Sequence, residues 1–185
     1  MLPTIRLKEK AERRLKGGHL WVYSNEVDIQ STPLKGLPAG SEAVIETSAG
    51  KALGRAVLSP EQLICARLYS RDGKQPLDAS FIVHRLKIAL SSRELWYPDQ
   101  CYRWVYGDSD SLPGLVIDRF MDVVVVQISS AAMEARRQDI IDAINKVAKP
   151  SCIVLKNDGK LRAVEGLEEY VEIVQGALED DCAPL

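Results

Sequence analysis

The sequence predicts an α+β protein: a small β-barrel-like unit followed by a unit in which helices cover one face of a sheet. Three observations carry this reading. Short β-prone runs, punctuated by Gly, Pro and Ser, fill the stretch up to Ser70. A long helical repeat of apolar residues then begins at Ala79. Beyond it, strand-like runs alternate with a second helical repeat.

In order along the chain, Thr4 to Leu7 reads as a short extended piece. Lys8 to Lys16 contains good helix formers and stops at Gly17 and Gly18. Trp21 to Tyr23, Ala43 to Glu46, Ala52 to Leu58 and Leu63 to Tyr69 read as strands of a compact barrel. Ser70 to Asp78, with Asp72-Gly73 and Pro76, reads as a boundary, so the first unit is expected over residues 1–74. From Ala79 to Trp96 the residues Ile82, Leu86, Ala89 and Leu90 recur at three and four, beside an exposed Arg85 and Arg93. Cys101 to Tyr106, Leu115 to Phe120 and Val123 to Ile128 follow as strands, the last two joined at Met121-Asp122 as a tight hairpin. Ala131 to Val147 reads as one helix with Met133, Ile140, Ile141, Ile144 and Val147 inward, and Ser151 to Lys156 as a further strand. The second unit is expected over 75–172. The remainder, 173–185, reads as an acidic tail, because Glu168, Glu169, Glu172, Glu179, Asp180 and Asp181 meet no Lys or Arg after Gly166.

A hydrophobic fraction of 46% is enough for a packed core, and a formal net charge of -2 means that any grip on nucleic acid must come from a local patch. The longest apolar runs, such as Val123 to Ile128, are too short to span a bilayer, and no signal-type stretch opens the chain, so no membrane partner and a cytoplasmic location are expected. Cys65, Cys101, Cys152 and Cys182 are scattered, with no Cys-x-x-Cys pair, which points to reduced thiols in the core for all but Cys182.

Two stretches carry a family resemblance: Gly18-His19-Leu20-Trp21-Val22-Tyr23-Ser24, and Tyr102-Arg103 followed by the unbroken block Gly107 to Phe120, Gly-Asp-Ser-Asp-Ser-Leu-Pro-Gly-Leu-Val-Ile-Asp-Arg-Phe. Together they resemble the bacterial large-subunit (23S) rRNA cytosine-C5 methyltransferases, through about Gly166. That resemblance implies an N-terminal PUA domain, a central strand-strand-helix-strand-strand domain and a C-terminal Rossmann-like domain that binds S-adenosylmethionine. Leu20 departs from the Pro usual after that His. Nothing in these 185 residues resembles the third domain: there is no Gly-x-Gly and no Asp-Pro-Pro, and no cysteine has the family's catalytic context. The expectation is therefore an RNA-targeting portion with no catalytic, cofactor-binding or metal residues of its own. Its implied partners are ribosomal RNA and either a methyltransferase domain or a second copy of the chain. A free-standing protein-interaction scaffold is the alternative.

Candidate RNA-contacting residues lie near the start. Leu7, Ala11 and Leu15 point inward, leaving Lys10, Arg13 and Arg14 on an adjacent arc, followed by Lys16, Gly17, Gly18 and His19. Cations neutralise phosphates and glycine lets backbone approach, and the resemblance implies that RNA lies along this helix and loop. A solvated helix face balanced by Glu9 and Glu12 is the plainer reading. Trp21 is expected either to stack on a base or, more simply, to plug the barrel. His84 is assigned no role. Asp108 and Asp110 are spaced like the first calcium ligands of an EF-hand, but Leu112 and Pro113 fall where a ligand and the glycine should be, and that reading fails. A turn at Pro113-Gly114 fits better, with Asp108, Asp110 and Arg119 either purely structural or shaping a domain interface or RNA groove.

Overall fold

A computed structural model describes residues 2–178. The first unit comprises β1 (Thr4–Arg6), α1 (Glu12–Lys16), β2 (Trp21–Tyr23), β3 (Glu42–Glu46), β4 (Ala52–Leu58) and β5 (Ile64–Ser70). Its sheet runs β1-β3-β4-β5-β2, with β1 parallel to β3 and the other pairs antiparallel. Closure comes from the backbone just past the two edge strands. Leu7 bridges Val27, the Lys8 N–H donates to the Glu26 carbonyl (2.8 Å), and the Asp28 N–H donates to the Arg6 carbonyl (2.9 Å). Edge groups that would otherwise lack partners are thereby satisfied, and the sheet becomes the expected barrel. Alternating residues Ile5, Leu7, Val22, Ala43, Ile45, Ala56, Leu58, Ala66 and Leu68 fill it, with Leu15 of α1 added.

The second unit contains α2 (Ala79–Glu94), β6 (Cys101–Tyr106), β7 (Leu115–Phe120), β8 (Val123–Ile128), α3 (Ala131–Glu134), α4 (Arg137–Val147), β9 (Cys152–Asn157), α5 (Leu161–Val164) and β10 (Tyr170–Gln175). Asp78 caps α2 by accepting the Phe81 N–H (2.8 Å). The sheet order is β10-β9-β8-β7-β6, antiparallel except for β8 with β9, which the α3–α4 crossover joins. Phe81, Ile82 and Leu86 of α2 and Ile140 and Ile144 of α4 pack on one sheet face around Trp104, whose indole N–H donates to the Leu86 carbonyl (3.0 Å).

Four sequence expectations change. The first helix starts at Glu12, not Lys8, because Lys10 sits at φ 70 and Leu7 is tied into the barrel. The expected helix from Ala131 to Val147 breaks at Ala135–Arg136, where the Arg136 side chain reaches back to the barrel. Tyr170–Gln175, which straddles the expected start of the tail, is a strand paired with β9, its β-branched Val171, Ile173 and Val174 outweighing the acidic composition. Cys101 is exposed at the edge of the sheet, whereas Cys65 and Cys152 are buried. The acidic residues Glu179 to Asp181 and Cys182 lie outside the described residues.

Glu42 locks the two units together. Its carboxylate accepts from the guanidinium of Arg55 on the neighbouring strand, from the Tyr69 hydroxyl (2.6 Å), from the Leu77 N–H in the connecting segment (3.2 Å) and from Arg136 at the helix break (2.7 Å). Burial pushes its pKa up, but the bonds from Tyr69, Arg55 and the Leu77 N–H outweigh it, and the carboxyl sits below the ordinary glutamate range. Val57 and Tyr69 of the barrel add apolar contact by packing into the second unit's core.

Because the folded pKa is lowered, the stability Glu42 contributes is present above its unfolded value and is lost as pH falls through the folded one. Glu42→Ala leaves Arg55, whose side chain is 8% exposed, without its partner. Urea unfolding at neutral pH is expected to show a loss of about 3 kcal/mol. Glu42→Gln is expected to flatten the acid side of the stability profile below about pH 4; an unchanged profile counts against the assignment.

Candidate nucleic-acid interface

Helix α1 lies on the barrel through Leu15, and its far side faces solvent. Lys10, Arg13 and Lys16 are exposed there. Lys16 pairs with Glu12 one turn back (3.5 Å), and Lys10 approaches Glu9 (4.0 Å). Arg14 departs from the expected arc: its guanidinium donates to Glu26 (2.6 Å) and lies 4.7 Å from the Tyr23 ring centroid, so it braces the barrel. Gly17 ends the helix, Gly18 turns with φ 107, and His19 is exposed. Arg71, which sequence reasoning missed, donates to the Leu15 and His19 carbonyls and closes the helix C-terminus. Its signal in the sequence was slight, since a lone arginine in a turn gives no hint of a helix end far back along the chain. Lys10 before α1, Arg13 and Lys16 on it, and Gly17 to His19 after it are thus all exposed.

Trp21 does not plug the barrel. In β2, Val22 takes the inward position at 0% exposure, and Trp21 is 39% exposed on the outside. Its indole N–H donates to Asp108 (2.9 Å), and the Arg67 guanidinium stands 5.2 Å from its ring and pairs with the same carboxylate (3.0 Å). Asp108 therefore bridges the second unit to the barrel. Asp110 and Arg119 do not. Asp110 accepts from the Tyr106 N–H (2.7 Å) and Arg93 (2.7 Å), while its carbonyl receives Arg85 (2.9 Å). Those bonds also draw in the two arginines expected to be free on α2. Arg119 donates to the Met121 carbonyl (2.9 Å) and the Gln100 side chain (2.7 Å) within its own sheet. The turn at Pro113-Gly114 is as expected, with the Leu115 N–H donating to the Leu112 carbonyl (3.0 Å) and Gly114 at φ 82. A Cβ at Gly114 would fall 2.4 Å from the Ser130 hydroxyl, which explains the glycine.

Between the units lies a cleft of about 530 Å³ whose walls include Tyr23, Gln62, Arg67, Asp108 and Glu165. Glu165 crosses it, accepting from the Ser59 hydroxyl (2.6 Å), and Gln62 donates to the Val164 carbonyl (3.0 Å). Burial pushes the Cys65 thiol up to about 11 and raises that of Cys152, so both stay protonated near neutral pH. Among the described residues no cluster of His, Cys, Asp and Glu could hold a metal ion. No helix among them is long and apolar enough to cross a membrane.

Residues 5–71 match the PUA-like domain family. The PUA-like barrel and the unit after it are together similar to proteins named ribosomal RNA large subunit methyltransferase I. The one from Tolumonas auensis is 32% identical over 98% of this chain and 46% of its own length. That from Shewanella frigidimarina is 34% identical over 94% of this chain and 44% of its own. The chain therefore spans about half the length of the curated relatives it matches. A solved Streptococcus mutans protein, proposed to be a SAM-dependent methyltransferase, superposes with a TM-score of 0.77 at 19% identity, over 96% of this chain and 44% of that one. A second, a proposed methyltransferase complexed with SAH, gives 0.76 at 19% identity, over 97% of this chain and 44% of that one. These two share the fold.

The residues present do not fit a nucleoside cofactor at the parallel β8–β9 pair, where such a fold would seat one. The turn after β8 is Ser129-Ser130, with no glycine. The Ser130 hydroxyl accepts the Met133 N–H (3.4 Å), and Glu165 accepts the Ala131 N–H (3.4 Å). The helix N-terminus already faces the protein's own oxygens.

Asp108→Ala removes the partner of both Trp21 and Arg67. Denaturant unfolding is expected to show a loss of about 1.5 kcal/mol, typical for hydrogen bonds to a charged group. Arg119→Ala is expected to leave the Trp21 indole N–H resonance, read by NMR and assigned with Trp21→Phe, unchanged.

Proposed function

We propose that this chain is the RNA-binding portion of an S-adenosylmethionine-dependent 23S rRNA cytosine-C5 methyltransferase, holding structured ribosomal RNA for a methyltransferase domain that these residues do not themselves build. The observation that carries the reading is the open corner of the PUA-like barrel. Lys10, Arg13 and Lys16 stand exposed there, followed in the chain by the glycine-bearing loop to His19. Similarity to the rRNA methyltransferases over nearly the whole chain supports rRNA as the ligand. Methyl transfer to C5 of cytosine requires a thiolate to attack the base. Cys65 and Cys152 are buried and held protonated, which makes those two poor candidates for that thiolate. Such a protein works in the cytoplasm with rRNA as its partner.

Fluorescence anisotropy with a labelled structured 23S rRNA fragment tests this at two salt concentrations. The wild type is expected to bind, weakening as salt rises. Lys10→Ala/Arg13→Ala/Lys16→Ala is expected to bind more weakly and to flatten the logarithmic salt slope by about 2. Arg14→Ala is expected to act through stability instead. No binding at low salt sinks the reading and leaves a protein-interaction scaffold.

A further inference from the structure

The basic corner leaves one group of exposed side chains unused. Trp96 (80% exposed), Tyr97 (52%) and Tyr106 (57%) keep their rings largely in water at the end of α2 and on β6. With Arg93, Tyr102 and Arg103 they line one open surface hollow of about 530 Å³. Neighbours set these groups in place. Arg103 is gripped by both oxygens of Asp118 (2.9 and 3.1 Å), and its guanidinium stands 5.3 Å from the Tyr106 ring centroid. Arg93 is held by Asp110 (2.7 Å) and the Arg103 carbonyl (3.2 Å), and Tyr97 packs against Tyr102 with ring centroids 5.9 Å apart.

The hollow connects to the barrel through a short run of backbone. Tyr106 stands two residues before Asp108, which fixes Trp21 and Arg67. Within the hollow itself, Tyr106 with Arg103, and Trp96 and Tyr97 beside Arg93, form an aromatic track on the second unit.

We propose that this track is a stacking site for unpaired bases of RNA. The inference rests on the reading of the chain as RNA-binding and adds the class of RNA it takes. Aromatic rings and guanidinium planes are the surfaces on which splayed-out bases stack, whereas a duplex offers no free base faces. The arginines beside the track are already neutralised by Asp110 and Asp118, so they add planar contact more than free charge. Trp, Tyr and Arg also populate protein-docking faces, and the comparison of RNA probes with self-association separates the two. Stacking here is therefore separable from phosphate binding at α1: one sets the preference for unpaired bases and the other the salt dependence.

The test uses the whole chain and anisotropy with two labelled probes, an unstructured RNA oligonucleotide and an RNA duplex of the same length. Trp96→Ala/Tyr106→Ala alters exposed side chains, and thermal melts verify folding. It is expected to weaken single-strand binding about tenfold or more, with the salt slope and duplex binding unchanged. Trp96→Phe/Tyr106→Phe is expected to retain most of the affinity. Wild type and alanine variant binding the single strand equally overturns the stacking site while leaving the RNA reading intact. The same equality, with loss of self-association in sedimentation, reassigns the track to protein docking. A wild type that binds neither these probes nor structured rRNA overturns both readings together.

Discussion

The carboxylate of Glu42 is held between barrel and sheet, where water cannot fully solvate it, and it remains ionised because donors from three parts of the chain converge on it. Arg55 and Tyr69 belong to the barrel, Leu77 to the connecting segment and Arg136 to the break between two helices of the second unit. A buried charge without such partners costs several kcal/mol, of order 3 to 5, so the parts must arrive together. The helix break is a consequence. A continuous helix from Ala131 to Val147 would carry Arg136 past the barrel, whereas the break lets its guanidinium span Glu42 and the Leu77 carbonyl. Gly40 belongs to the same seam: a Cβ there would fall 2.7 Å from the Ala132 nitrogen, so the barrel loop approaches α3 only as glycine.

The same pairing logic shapes the surface. A formal charge of -2 over 185 residues conceals an uneven distribution. Arginines 14, 55, 67, 93, 103, 136 and 162 each pair with a carboxylate, 67 and 136 across the seam. Lys10 before α1 and Lys16 at its end have only weak partners, and exposed rings lie just beyond α2 and on β6.

Much of this was legible from residue pattern. The barrel strands, α2, the hairpin at Met121-Asp122 and the turn at Pro113-Gly114 follow from periodicity and turn chemistry, which are local. The misreadings have non-local causes. Lys10 and Arg14 look equivalent on a helical wheel, but closure of the barrel through Leu7 and Val27 pulls Lys10 out of the helix, and Glu26 captures Arg14. Ile173 to Gln175 read as tail by charge and belong to a strand, Tyr170 to Gln175, because β9 offers it an edge.

By itself the sequence determined the barrel strands, α2 and β6 to β9, the alternation that fills each core and the glycines that permit its turns, because these depend on neighbours a few residues apart. It also carried the resemblance, through blocks such as Gly107 to Phe120. Only the tertiary structure decided which charged and aromatic side chains are free. That choice is made by partners such as Trp21 and Asp108, or Glu42 and Arg136, which are distant in the chain and meet only once the two units have packed.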